Sequence, residues 1–482
     1  MAEGRPGAPA GVEILAERLW LLGAAGAVLL AGCTADSPLP RPFVSVDLGD
    51  RYQEIEGFGV SGCWWAQDVG GWRDENRRRI VQLLFDRTGG IGLSMYRYNI
   101  GAGSGHNIAD PWRRTETFEV GPGQYDWTRD RNAVWVLKAA RDAGVGKFIA
   151  FANSPPARMT RTGYVSGGPH GESNLREDMY GEFAQYLVDV VRHLREDEDV
   201  PIGWISPINE PQWAWKNANG QEGCHYTTDE LVAFLEVLLQ HIYDSGLDVR
   251  ISAVEAGEWA TASIYLDRLL DSPRLREALD HFAVHSYWSK PEDKRRFVAY
   301  LRTQAPQMRL WMSEWTEMEQ GYDPGIDAAL VLANTVHDDL TIGSVTSWQY
   351  WTAVSKYDYH DGLIYTEEWT QSIEETKRLW SLGNYSRFVR PGDVRVGAEA
   401  VGTALKVSAY TEPAGRRLVV VAINNAPDPV EAGLGLTGWP PGSALAAYET
   451  SAAANLAQVY TGPPLAAYVF APRSVTTLVL SR

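Results

Sequence analysis

Eight short, mostly apolar runs alternate with longer stretches of helical periodicity, and this alternation constrains the fold more than any other feature of the chain. The runs begin at Ile55 (IEGFGV), Ile91 (IGLSMYRYNI), Lys147 (KFIAFA), Ile202 (IGWISPI), Val249 (VRISAVE), Asp280 (DHFAVHS), Met308 (MRLWMS) and Ser344 (SVTSWQYW). Between them, segments such as Asp74 to Phe85, Arg131 to Ala143, Met179 to Leu194, Asp229 to Tyr243 and Asp327 to Leu340 return apolar residues every three or four positions. The starts are spaced for one βα unit of about 30 residues each, with insertions in the loops. Eight strands alternating with helices predict an α/β fold, a (β/α)8 TIM barrel, because a doubly wound open sheet generally stops at about five or six parallel strands.

The pattern changes after Gly383. From Asn384 to Arg482 the runs are short, β-branched and bounded by turns, as in ALKVSAY, RRLVVVAI, LAAYVF and SVTTLVL. These predict a β-sandwich. The strand-like segment from Phe43 precedes the barrel and is expected to join that sandwich. The expected organisation is therefore a leader and linker over 1–42, a sandwich strand over 43–54, a catalytic barrel over 55–383 and the sandwich proper over 384–482.

At the start, the apolar run from Leu19 to Leu30 is too short to span a bilayer comfortably and reads as the core of a signal peptide. Leu30-Ala31-Gly32-Cys33 follows it and resembles the bacterial lipobox. An extracellular or cell-surface lipoprotein is expected, held to the membrane only through Cys33. Cys63 and Cys224 read by default as small buried side chains; with Cys33 lipidated, a disulfide between them across the barrel mouth is the alternative, since both fall in loops of its catalytic face.

Forty-four Lys and Arg against 61 Asp and Glu leave a net charge of −17, a field that repels phosphate backbones and argues against a nucleic-acid partner. The 19 Trp and 22 Tyr exceed what a core usually needs, and aromatic faces in a cleft commonly stack on sugar rings. An oligo- or polysaccharide substrate is the expected partner. There is no HExxH, no His pair at helical spacing and no calcium-loop pattern, so neither metal nor cofactor is expected.

A barrel enzyme builds its site at the C-terminal ends of its strands. Glu210 closes the fourth run in Ile208-Asn209-Glu210-Pro211, and Glu314 closes the seventh in Met312-Ser313-Glu314-Trp315. Two carboxylates on nearby strand ends supply the acid and the nucleophile of glycoside hydrolysis. In the sixth run, His285 and Tyr287 are both candidates to orient the site, with the inward-pointing one left open. Trp348 and Trp351 near the eighth run, with Trp64 and Trp65 after the first, are candidate stacking platforms.

The segments IEGFGVSG from Ile55, YRYNIGAGS from Tyr96, NSPP from Asn153, SPINEP from Ser206, MSEW from Met312 and LGNYSRFVRPG from Leu382 together resemble glycoside hydrolase family 30. That resemblance implies a (β/α)8 barrel with a side β-sandwich and a retaining mechanism. It assigns Glu210 as acid/base, Glu314 as nucleophile, Asn209 as the partner of the sugar 2-hydroxyl and Arg97 as the cation beside the nucleophile. The chain departs from several members in the third loop, where Arg158 rather than an aromatic follows Ser154-Pro155-Pro156-Ala157. GCWWAQD from Gly62 looks most like the branch that cuts β-1,6-linked galactan in arabinogalactan side chains. The alternatives are a β-1,6-glucanase, an exo-acting β-galactosidase, β-xylosidase or β-fucosidase, and a catalytically dead glycan-binding protein.

Overall fold

The computed structural model describes residues 42–216 and 220–482. The signal-peptide and lipobox segment with Cys33 lies outside the described residues. Among those described, no helix is long and apolar enough to cross a membrane.

All eight runs form parallel strands of one barrel. In chain order, barrel strands one to four are Gly57–Ser61, Met95–Asn99, Lys147–Phe151 and Ile202–Ser206. Strand five is split into Arg250–Ile251 and Val254–Ala256, and strands six to eight are His281–His285, Arg309–Glu314 and Ser347–Tyr350. Strand one pairs with strand eight, and the circle closes through the interrupted fifth strand. Its first piece bonds to strand four and its second to strand six. Met95, Ile149, Trp204 and Trp311 form a small cluster of their own, contributed by strands two, three, four and seven. Glu56, just before strand one, accepts from Trp311 Nε1 at 2.7 Å, Thr346 Oγ1 at 2.6 Å and Arg309 Nη1 at 2.6 Å. Such a buried carboxylate at the N-terminal end of the strands is a structural clamp, opposite the catalytic face.

Nine strands form the second sheet. Phe43–Glu54 lies within it, antiparallel to Val394–Val401 on one side and parallel to Val430–Thr437 on the other. Arg417–Asn424 shows why so apolar a strand suits this place. Leu418, Val420 and Ala422 enter the sandwich core, while the alternating Val419, Val421 and Ile423 enter the barrel's cluster. A strand buried on both faces must be apolar at both parities.

The helix Lys377–Ser386 runs across the expected boundary at 383/384. Gly383 and Asn384 are both buried inside it. A Cβ at Gly383 would lie 2.8 Å from Leu456 Cδ2 and 2.9 Å from Ile91 Cγ2, so the glycine permits close packing rather than a turn. Asn384 Nδ2 donates to Thr477 Oγ1 at 2.9 Å, tying the helix to the sandwich.

Cys63 and Cys224 are both buried free thiols, and the alternative disulfide does not form. Cys63 Sγ lies 3.3 Å from Asn99 Oδ1 and 3.5 Å from Asn153 Nδ2, facing the ends of strands two and three. Cys224 packs instead beside Tyr226 and the backbone of Leu175, where burial pushes its thiol up to about 11.

Candidate active site

Strand seven ends in Glu314, and Glu210 follows strand four on a short loop. Glu210 is held in the left-handed region at φ 44°, its N–H donating to Glu255 O at 3.0 Å. That conformation costs a non-glycine residue roughly 1–2 kcal/mol and requires enforcement by its surroundings. Gly257 opposite has no room for a side chain, since a Cβ there would lie 2.7 Å from Glu210 Oε1. The two carboxyl groups bring oxygens within 4.8 Å of one another. This is the short spacing of a nucleophile facing its acid, with no room for a water between them.

Around the pair the structure assembles a charged cluster. Arg97 Nη1 lies 2.5 Å from Glu314 Oε2, and its Nη2 donates to Asn209 Oδ1 at 2.9 Å. Asn209 is thus fixed by the arginine. Both strand-six candidates point inward. Tyr287 donates its hydroxyl to Glu314 Oε1 at 3.1 Å, and His285 places Nδ1 3.1 Å from Glu210 Oε1.

Sequence reasoning missed the residue that binds these together. Glu255 ends the fifth run as Glu210 and Glu314 end theirs, so the strand-end criterion would have found it. It is fully buried, 3.1 Å from His285 Nε2 and 3.6 Å from Arg97 Nη2, and it accepts from Ser206 Oγ at 2.8 Å and from the Ser313 hydroxyl. Burial would raise its carboxyl, but Arg97 and His285 outweigh burial and hold it at about 2. Burial would likewise depress His285, but Glu314, Glu210 and Glu255 hold it at about 9. Burial pushes Glu314 up from the usual carboxylate range against the pull of His285 and Arg97. Three carboxyls and two cations close to zero charge when one carboxyl carries a proton, the state a general acid requires.

Glu210, His285 and Glu314 also offer three atoms close enough to hold a metal ion. An imidazolium engaged through both nitrogens has no lone pair to give, and Arg97 already occupies Glu314 Oε2, so the donor set fits a metal poorly.

The two shifts predict opposite pH limits. Glu255 contributes stability above its unfolded value of 4.5 that is lost as pH falls through about 2. His285 contributes stability present below 6.5 and lost as pH rises through about 9, worth about 3 kcal/mol. Denaturant unfolding at pH 6 and pH 10 should show this alkaline loss in the wild type and a clearly smaller one in His285→Gln. Equal losses in both proteins would remove the assignment.

The catalytic cavity has a volume of 490 Å³, and Trp213, Trp215, Trp288 and Trp351 wall it around Asn209, Tyr287 and both carboxylates. Trp64 meets Trp351 edge to face, ring centroids 5.3 Å apart, and lines the adjoining cavity. Trp65 and Trp348 are not platforms but core. Trp65 donates to Ser61 O at 2.8 Å and Trp348 to Asp339 Oδ2 at 2.9 Å, both with no exposed surface. Strand alternation explains Trp348, whose side chain points out of the barrel to the helix Ile326–Thr341 that carries Asp339. Arg158 leads away from the cavity, paired with Glu119 at 2.9 Å and Glu182 at 2.6 Å.

Two carboxylates facing each other at the ends of barrel strands four and seven have the layout of a two-carboxylate glycoside hydrolase. Residues 42–365 match the model of O-glycosyl hydrolase family 30, and the chain belongs to that family. Over 410 residues it is 25% identical to an endo-β-1,6-galactanase of Hypocrea rufa, covering 79% of this chain and 81% of that one. Among solved structures, a conserved exported protein from Bacteroides fragilis superposes with a TM-score of 0.81 at 29% identity, covering 91% of this chain and all of that one. The catalytic domain of xylanase C from Talaromyces cellulolyticus gives 0.75 at 23% identity, with the same coverage.

Proposed function

We propose that this chain is a retaining endo-β-1,6-galactanase acting on arabinogalactan side chains. The observation that carries the sugar and the bond is the similarity to the Hypocrea galactanase, which extends over about four-fifths of both chains. The chemistry follows from the site. Glu210 protonates the glycosidic oxygen while Glu314 attacks the anomeric carbon from the opposite face, giving a covalent glycosyl-enzyme. Glu210, now a carboxylate, then takes a proton from the water that releases the sugar. Asn209, its oxygen engaged by Arg97, keeps its amide N–H for the 2-hydroxyl, a bond that strengthens in the transition state. Tyr287 and Arg97 hold Glu314 on line throughout.

Purified protein presented with β-1,6-, β-1,3- and β-1,4-linked galacto- and gluco-oligosaccharides should cleave the β-1,6-galactan series internally. NMR should detect the β-anomer as first product. Cleavage of only the gluco series, or release of single sugars from chain ends, would displace this reading.

A further inference from the structure

We propose that Asp339, on the helix Ile326–Thr341 outside the barrel, is a positioning residue that acts through Ser286 to hold Tyr287 on Glu314. The proposal rests on the two-carboxylate chemistry of the site and is independent of the sugar cleaved. Tyr287 is the less secured of the two strand-six residues. His285 still belongs to the strand and pairs with Glu314 in the ladder, after a register shift. Tyr287 lies beyond the strand's end, where the Ser286 N–H donates to Glu314 O at a long 3.4 Å. Trp288, next in the chain, sits in the left-handed region at φ 50°, a conformation that a bulky residue adopts only when its surroundings impose it. The ladder therefore does not fix the tyrosine hydroxyl, and side chains must.

Those side chains converge on one carboxylate. With His285 and Tyr287 turned into the barrel, Ser286 between them points outward. There its Oγ donates to Asp339 Oδ1 at 2.8 Å and accepts from Trp259 Nε1 at 2.8 Å. Asp339 Oδ1 also meets the Lys294 ammonium at 2.7 Å, and Oδ2 takes the Trp348 indole N–H. Lys294 comes from the helix Pro291–Gln304 that follows strand six, and Trp348 from strand eight. Asp339, Lys294, Ser286 and Trp259 are all buried. Ser289 braces the same turn, its Oγ donating to Tyr287 O at 3.0 Å and accepting from Trp259 N at 3.1 Å. A buried ion pair adds little net stability over apolar residues of the same volume. What Asp339 supplies is a direction: an acceptor, itself held by Lys294 and Trp348, against which Ser286 is set. A hydrogen bond to a charged acceptor is roughly twice as strong as one between neutral groups, and suits the fixing of a single turn. Without it the turn loosens, and the 3.1 Å bond from Tyr287 that aligns the nucleophile is made only part of the time.

Removing Asp339 alone would strand the buried Lys294 charge and report on folding, so the link is cut at Ser286. The test measures kcat and KM for the wild type, Ser286→Ala, Tyr287→Phe and the double variant, each checked for native melting, on a β-linked oligosaccharide that the wild type cleaves. Ser286→Ala should lower kcat roughly tenfold and leave KM within about twofold. In the Tyr287→Phe background the same substitution should cost less than about twofold, because the hydroxyl it positions is gone. A serine with a structural role alone lowers melting and leaves the kcat of the folded enzyme where it was. Unchanged kcat in folded Ser286→Ala, or equal losses with and without the Tyr287 hydroxyl, overturns the proposal. The carboxylate itself is tested without a stranded charge by combining Lys294→Met with Asp339→Leu, which should lose kcat to the same degree as Ser286→Ala. Wild-type kcat in that folded pair puts the tether on Trp259 and overturns the role of Asp339; if the pair does not fold, the Ser286 cycle decides alone. A wild type inert on every β-linked series removes the glycosidase reading and this proposal with it, whereas cleavage of any one series leaves the cycle to decide.

Discussion

Glu314→Gly should lose hydrolysis by roughly 10⁶-fold and regain turnover of an aryl glycoside when azide is added. Glu314 is the carboxylate whose oxygens are held by Arg97 and Tyr287, at the end of a barrel strand and facing the acid. Shortening it to hydrogen leaves a space the size of a small anion beside the anomeric carbon. Azide entering there attacks from the face Glu314 used, so the product must be the α-glycosyl azide. An aryl leaving group needs little help from Glu210, which keeps the readout on the missing nucleophile. NMR of the product checks it. A β-azide, or inversion by the wild type, would show that Glu314 is not the nucleophile.

Arg97→Met should damage both folding and catalysis. The guanidinium has no exposed surface, lies 3.7 Å over the Phe151 ring, and faces Glu314, Glu255 and Asn209. Removing one partner of a buried ion pair leaves the other charges uncompensated, at a cost of about 3–5 kcal/mol. Here two carboxylates are stranded by one substitution. The same loss deprives Glu314 of the cation that favours its ionised form and frees Asn209 to rotate, so kcat should fall roughly 10²–10³-fold. Arg97→Lys keeps the charge but cannot reach Glu314 and Asn209 with one rigid fork, and should restore more stability than activity. Denaturant unfolding and steady-state kinetics on the two variants measure each part. A Met variant as stable as wild type would remove the ion-pair argument.

The barrel was legible because each strand is a short apolar run and each run ends where polarity returns. Glu210 and Glu314 stood out by the same criterion. Glu255 meets that criterion too, since it closes VRISAVE, and was passed over; what the sequence hides is the break between Ile251 and Val254, after which Glu255 sits in the left-handed region at φ 60°. Nothing in local periodicity announces that break. The tryptophans show a second limit. Trp64 and Trp65 are adjacent and chemically identical, and only the start of the helix Trp65–Val69 sends one to the cavity and the other into the core. The cysteine pairing failed for a related reason: loops on one face of a barrel can carry side chains that look toward different neighbours. The boundary helix was missed because the change to short β-branched runs was taken as the boundary, while tertiary packing carries a helix across it with Gly383 and Asn384 buried inside.

The placement of Phe43–Glu54 bears on how the molecule is made. Phe43 pairs with Val401 on one side and Gly433 on the other, so the first described strand waits for nearly the whole barrel to emerge before its sheet neighbours exist. Pairing across so long a stretch of chain is slow, because loop closure precedes any reward from contacts. Until then the growing polypeptide carries an unmatched sheet edge, a surface prone to association between chains. Beginning and end are thereby stitched into a single seam, and the barrel cannot be excised at either junction without opening it.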